Sequence, residues 1–206
     1  MALHVVNHPI AEHVLTDLRK RKTTAAEYRS LCRRIGAILL VKAFENLELK
    51  SVTVGTPLGD CEGKVLVSNV VLVPILRAGL ALLSPALELL PEAMVGYFGL
   101  QRSEEAMQIE CYYQKLPPMA GADVFILDPM LASGCSAQFA IQRLQDLHPK
   151  SISFVSILAA PEGIRRLMDE FPTVNIFTVA VDKELDGRNF IIPGLGDFGD
   201  RFHGTL

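Results

Sequence analysis

The chain has 206 residues, half of them apolar and 21 % charged, with a net charge of −3 at neutral pH. That length and apolar content suit one domain with a sizeable core, and the charge balance excludes the concentrated basic face of a sequence-independent nucleic-acid binder. No apolar run reaches bilayer length and no signal-peptide core opens the chain, so it reads as cytoplasmic and not membrane-bound.

His8-Pro9 predicts the start of a first helix, because Pro suits a first turn whose N–H would be unpaired anyway. Ile10, Val14, Leu15 and Leu18 form its apolar stripe, and the basic run Arg19-Lys20-Arg21-Lys22 reads as its solvated end. Thr24 with Glu27 is a capping box for a second helix, whose face carries Leu31, Ile35, Ile38, Leu39 and Ala43. Val41 and Phe44 widen that stripe, as expected if both sides are covered. Residues 51–67 place β-formers on either side of Gly55, Pro57, Gly59 and Gly63, a hairpin with a long turn. Asn69–Val73 follows as a buried strand that Pro74 should break.

Behind that strand lies Pro74-Ile-Leu-Arg77-Ala-Gly79-Leu. An arginine directly after a buried strand, with Gly two residues on, is either a surface ion pair or one side of an anion loop. Residues 81–90 continue as a helix that Pro91 ends, and Met94–Leu100 is another buried strand. The stretch from Gln101 to Pro117 is a polar excursion of the length expected for a lid. Farther on, strand 151–158, helix 161–171 and strand 174–181 alternate. Such alternation predicts right-handed crossovers and a parallel sheet.

The organising stretch is Asp123–Gln138. Val124–Leu127 is a short apolar strand, Asp128 closes it, and small or hydroxyl residues follow at 132, 133, 134, 136 and 137. Phe139, Ile141 and Leu144 then space out as a helix face running on to His148. A strand, a tight small-residue turn and a helix N-terminus form an anion site, because first-turn N–H groups lack partners and the helix dipole favours negative charge. The same residues can also be no more than a capped helix start. The motif is neither of the two familiar glycine-rich nucleotide fingerprints.

Asp128-Pro129-Met130-Leu131-Ala132 resembles the phosphoribosyl diphosphate (PRPP) motif of the type I phosphoribosyltransferases, in the form found in uracil phosphoribosyltransferases. Pro-Ile-Leu-Arg77-Ala-Gly-Leu resembles that family's pyrophosphate loop, and Arg102 before an acidic pair with Tyr112-Tyr-Gln-Lys-Leu116 resembles its flexible loop. The tail Pro193-Gly-Leu-Gly196-Asp197-Phe198-Gly-Asp200-Arg201 resembles its C-terminal hood, and Ala159-Ala-Pro-Glu-Gly163 also occurs there. The resemblance runs from His8-Pro9 to Gly204-Thr205.

The resemblance implies a type I phosphoribosyltransferase fold: a mostly parallel sheet, helices on both faces, a C-terminal hood and a flexible β-hairpin loop. Residues 1–206 would form one domain, with 183–206 as the hood over the base. The implied reaction is uracil plus PRPP giving uridine monophosphate and pyrophosphate, with Mg²⁺ held through PRPP and water rather than by protein ligands. PRPP would be bound by Arg77, Arg102, Asp128, Pro129, Met130, Leu131, Ala132, Ser133, Gly134, Cys135, Ser136 and Asp197. Uracil would meet Ile191, Gly196, Asp197 and Phe198. Asp128, Arg77 and Arg102 would act on the reacting groups, with Asp197 as a candidate general base. Homo-oligomers and GTP activation occur among relatives, so a homodimer or larger assembly and a GTP activator are carried as expectations. The alternatives are a phosphoribosyltransferase for another base and a non-catalytic regulator on the same fold.

Two departures stand out. Ser133 and Cys135 replace Thr and Gly in the family's usual phosphate loop, and Phe198 stands where many bacterial members have Ala. Cys135 either faces the phosphate, with ligand-sensitive alkylation faster than at Cys32, or points inward as a small core residue. The four cysteines, 32, 61, 111 and 135, form no Cys-x-x-Cys pair, so neither a zinc site nor a disulfide framework is expected.

Overall fold

The computed structural model describes residues 2–102 and 109–205. Strand β1 (Leu3–Val5) precedes helix α1 (Pro9–Arg19), whose N-cap is His8; its ring accepts from the Ile10 N–H. The buried face of α1 is Ala11, Val14, Leu15 and Leu18, while Ile10 is exposed. The expected stripe is therefore rotated at its first position, where Ile10 lies on the solvent side. Thr24 and Glu27 form the capping box of α2 (Ala25–Ala43) as expected, with both hydrogen bonds made. Val41 on α2 is exposed, so this helix is covered on one side only.

Strands β2 (Leu49–Thr56) and β3 (Gly59–Leu66) make an antiparallel hairpin outside the main sheet. Its turn is the two residues Pro57 and Leu58 rather than a long loop, because Gly55 and Gly63 lie within paired strands. Strand β4 (Val70–Leu76) continues through Pro74. It pairs with β5 (Met94–Val95) through Val71 and Leu72, and with β6 (Tyr97–Arg102) through Ile75 and Leu76. Pro74 lies in the gap between those two ladders, where its missing N–H is not needed. The described parts of the polar excursion are paired structure, with β7 (Ile109–Lys115) antiparallel to β6.

Helix α3 (Leu80–Leu89) connects β4 to β5. Strand β8 (Asp123–Leu127) leads through short β9 (Met130–Leu131) to α4 (Cys135–Gln145). That helix stops before His148, whose left-handed φ of 52° belongs to the following turn. Strand β10 (Ser151–Ala159), α5 (Pro161–Glu170) and β11 (Asn175–Val181) complete the alternation. The tail holds a small ladder, β12 (Glu184–Leu185) with β13 (Ile191–Ile192), and then α6 (Phe198–His203). None of these three was legible in a segment that reads mainly as glycine bends.

The main sheet runs β1-β11-β10-β8-β4-β6-β7, parallel except at β6–β7. Alternate residues divide between two cores, as the period of two requires. Leu72, Phe125, Leu127, Val155 and Phe177 face α1, α2 and α3; Val71, Val73, Ile126, Phe154 and Ile176 face α4 and α5. Ile191, Leu195 and Phe198 of the tail join the first core. Helices thus cover both faces, as parallel strands require. No helix among the described residues is long and apolar enough to cross a membrane.

Gly79 closes the turn after β4 beneath the end of β8. A Cβ there would collide with the Leu127 carbonyl and stand 2.7 Å from both the N and O of Ile75. Gly79→Ala should therefore lower Tm by about 5 °C or more, since each 1 kcal/mol lost moves a chain this size by roughly 2–4 °C. Gly187, where a Cβ meets nothing within 4 Å, is the control. Thermal melts of both variants check this, and equal melting points would contradict the close approach.

Candidate active site

Parallel strands bring their C-terminal ends to one edge, the usual ligand edge of an open α/β sheet. Pro74 of β4 is in register with Leu127 of β8, so Arg77 and Asp128 both project just past the ends of neighbouring strands. After β10 and β11 on the same side come Ala160 and Asp182, which lead into α5 and the tail.

Asp128, Met130, Leu131, Ala132, Ser133, Gly134, Cys135, Ser136 and Ala137, with Phe154 behind, line a cavity of about 120 Å³. Two glycines let the loop close this tightly. Gly134, the N-cap of α4, has φ 81°, a left-handed conformation that side chains resist. Gly163 on α5 lies against the loop from behind, where a Cβ would collide with the Ala132 carbonyl. Ser133 Oγ lies 3.4 Å from Cys135 Sγ, and Arg166 Nη1 donates to the same sulfur. The thiol therefore lines the cavity and also meets a cation from α5. Arg166 stood outside the sequence reading because α5 is explained there as a proline-started helix.

Asp128 is half-buried, and its backbone N–H donates to Val155 O at 3.1 Å. Burial pushes its carboxyl up to about 7, and the Met130 N–H, 3.3 Å from Oδ1, offsets that only in part. A carboxyl shifted this far at a strand end beside a cavity has the profile of a functional group.

Arg77 reaches the tail rather than the loop. Its Nη2 lies 3.3 Å from Asp200 Oδ1, and the side chain stays 55 % exposed. Of the two readings of Arg77, the structure shows the ion pair. The Leu76–Arg77 and Ile192–Pro193 peptides are cis. Arg102 is the last residue of β6, and residues 103–108 of the expected lid lie outside the described residues.

In the tail, Ile191 and Phe198 are buried and Gly196 has φ 72°. The Phe198 ring packs edge-on to Tyr28 at 5.2 Å and stacks with Phe202, so it belongs to the core. Asp197 is the N-cap of α6, with Oδ1 accepting from the Asp200 N–H at 2.9 Å. Two arginines pin the segment. Arg19 makes a two-pronged pair with Asp182 at 2.6 and 2.8 Å and donates to Gly194 O. It is not part of a solvated helix end, because Asp182 is 7 % exposed and also accepts from the Gly194 N–H. Arg201 lies over the Tyr28 ring at 4.4 Å and donates to the carbonyls of Leu18, Lys20 and Leu195. Cys32 lies on the buried face of α2, and burial pushes its thiol up.

A family model described as uracil phosphoribosyltransferase matches residues 5–205. Among curated relatives, a uracil phosphoribosyltransferase of Dictyoglomus thermophilum is 46 % identical over 203 residues, covering 98 % of each chain. One from Campylobacter concisus is 41 % identical over the same span and coverage. Among solved structures, the AQ2163 protein from Aquifex aeolicus superposes with a TM-score of 0.94 at 36 % identity, covering 99 % of each chain.

The raised Asp128 carboxyl makes a stability prediction. Its native value of about 7 exceeds the ordinary 3.8, so the folded chain binds the extra proton between those limits. The stabilising contribution is complete below about pH 4 and lost as pH rises through about 7. Asp128→Asn should match wild type near pH 4 and exceed it at pH 8, by roughly 2–4 °C in Tm for about 1 kcal/mol. Melts across that range check it, and a variant that is less stable at pH 8 would contradict the buried charge.

Proposed function

Because this chain belongs to the uracil phosphoribosyltransferase family along nearly its whole length, we propose that its strand-end cavity and tail divide the work of moving a phosphoribosyl group from PRPP to uracil. The observation that carries the assignment of residues is the half-buried Asp128 at the mouth of the 128–137 cavity.

The loop amides at 132–136, with the hydroxyls of Ser133 and Ser136, would hold the 5′-phosphate. Asp128, as carboxylate, would accept hydrogen bonds from the ribose hydroxyls and place negative charge near the carbon that becomes oxocarbenium-like. Met130 and Leu131 line the wall between them, with Pro129 buried behind and outside the lining, and the Met130 N–H orients the carboxyl. Arg77 and Arg102 would stabilise the leaving pyrophosphate; Arg77 would exchange Asp200 for the ligand as the site fills. One such donor typically contributes about 2.7–4 kcal/mol. Closing the hairpin loop around 102–115 would exclude water, which otherwise competes as acceptor.

The donor set suits Mg²⁺ carried in by substrate. Among the described residues no group of three or more His, Cys, Asp or Glu converges, whereas one carboxylate beside phosphate oxygens and water is an ordinary Mg²⁺ environment. Bound there, the ion would neutralise charge on the departing pyrophosphate.

Uracil would be read by main-chain groups of Ile191, Gly196, Asp197 and Phe198 within a hood of residues 183–206. The inward packing of the Phe198 ring supports a main-chain contact, which Phe in place of Ala does not disturb. Asp197 has one oxygen engaged as a helix cap, which favours an orienting role near PRPP over proton transfer. A homo-oligomer is supported by the β2–β3 hairpin, which exposes Leu49, Val54, Leu58, Val65 and Leu66, with Leu58 at 101 %. GTP activation rests on the family alone and is read by adding GTP to the assay below.

Asp128→Asn should lower turnover about tenfold to a hundredfold, because its amide N–H₂ cannot accept from a hydroxyl. Wild-type turnover would remove Asp128 from the reaction. Pyrophosphate release from PRPP with uracil, cytosine, adenine, guanine and hypoxanthine tests the whole reading. Uracil should exceed cytosine by about a hundredfold, since the cytosine amino group leaves buried main-chain groups unpaired. Comparable efficiency with cytosine would overturn the hood assignment.

A further inference from the structure

We propose that Arg166 is a further substrate-binding residue, which reaches from α5 behind the phosphate loop to give the 5′-phosphate a cationic donor. The inference rests on the reading of 132–136 as the 5′-phosphate loop.

The first turn of α5 is pressed against that loop. A Cβ on Gly134 would stand 3.3 Å from Gly163 Cα and 3.3 Å from Arg166 Cδ. Arg166 lies three residues after Gly163, so both are on the face that touches the loop. The Arg166 side chain is half-buried, and its Nη1 donates to Cys135 Sγ, which lines the cavity. Among the described residues no carboxylate pairs with Arg166. Of the acids within four residues of it, Glu162 accepts from the Leu185 N–H at 3.2 Å and Glu170 accepts from Gln138 Nε2 at 2.7 Å, while Asp169, three residues on, forms no ion pair with it.

A guanidinium carries five N–H donors in a rigid fork and keeps its charge at any working pH. A thiol is a weak acceptor for such a group, so burying the guanidinium there gains little in the empty protein. A phosphate dianion one side chain away would satisfy the remaining donors with charge-assisted hydrogen bonds. This also accounts for a loop with Cys at 135. A side chain at 135 limits how closely the backbone can approach a phosphate, and the charge of Arg166, bonded to that sulfur, would offset the loss. The 5′-phosphate does not react, so the contribution is uniform binding, present in ground and transition states alike.

The test compares inhibition by uridine monophosphate with inhibition by uridine, which lacks only the phosphate. In Arg166→Gln, uridine monophosphate should bind about 10- to 100-fold more weakly and uridine unchanged. KM for PRPP should rise by a similar factor with kcat near wild type, and Arg166→Lys should fall between. Equal effects on both inhibitors, or none on either, would overturn the proposal. Ser133→Ala distinguishes the two levels of failure. If it weakens uridine monophosphate selectively while Arg166→Gln does not, only Arg166 is wrong; if neither variant separates the inhibitors, the loop assignment falls as well.

Discussion

Strands β4, β8 and β10 carry no charged side chain beyond Asp123 at the start of β8, and both faces of each are mainly apolar, with Ser153 and Ser156 of β10 buried among them. Such strands are stable only when covered on both sides, which in a parallel sheet means helical crossovers. Crossovers in turn deliver every strand's C-terminal end to one edge. Arg77, Asp128, Ala160 and Asp182 come from four different parts of the chain, yet each lies just past the end of a strand in this sheet. The site is thus a consequence of how the core is buried, and loops need only supply the chemistry.

Close packing beneath the edge is what makes the loops precise. Gly79 lets the turn after β4 lie against the Leu127 carbonyl, and Gly163 lets α5 lie against the Ala132 carbonyl. Each is a backbone-to-backbone contact that a methyl group would push apart. The residues that present side chains to the cavity therefore stand on segments with little room to shift. That rigidity sustains Asp128 in surroundings that disfavour its charge, since a looser loop would let water in and return the carboxyl toward its ordinary value.

The tail is held by a different force. It buries few apolar side chains of its own, chiefly Ile191, Leu195 and Phe198. Arg19 with Asp182, and Arg201 with three carbonyls, supply directional links between α1, the end of β11 and the tail. Arginine suits this because one planar group can satisfy several acceptors at once. Removing either partner of the Arg19–Asp182 pair would leave the other charge half-buried and unpaired, which costs more than the pair contributes. The Arg77–Asp200 contact then ties the same tail to the turn after β4.

Elements with strong local signals were legible in the residues alone. Thr24 with Glu27, the apolar run 124–127 and the Pro161 helix start have the expected structures because a cap, a buried strand and a proline turn depend on neighbours in sequence. The resemblance located the strand-end acid and its loop by the same token, since both are contiguous. What sequence alone misjudged depends on partners far along the chain. Pro74 stays in a strand because β5 and β6 leave a gap beside it, and Ile10 faces outward because α1 packs on its Ala11 side. Arg19 reads as solvated until Asp182, 163 residues away, is brought to it. Arg166 meets Cys135 only because α5 crosses behind the loop. Local chemistry determined the elements and the loop, and the burial of the sheet on both faces decided which distant charges meet at its edge.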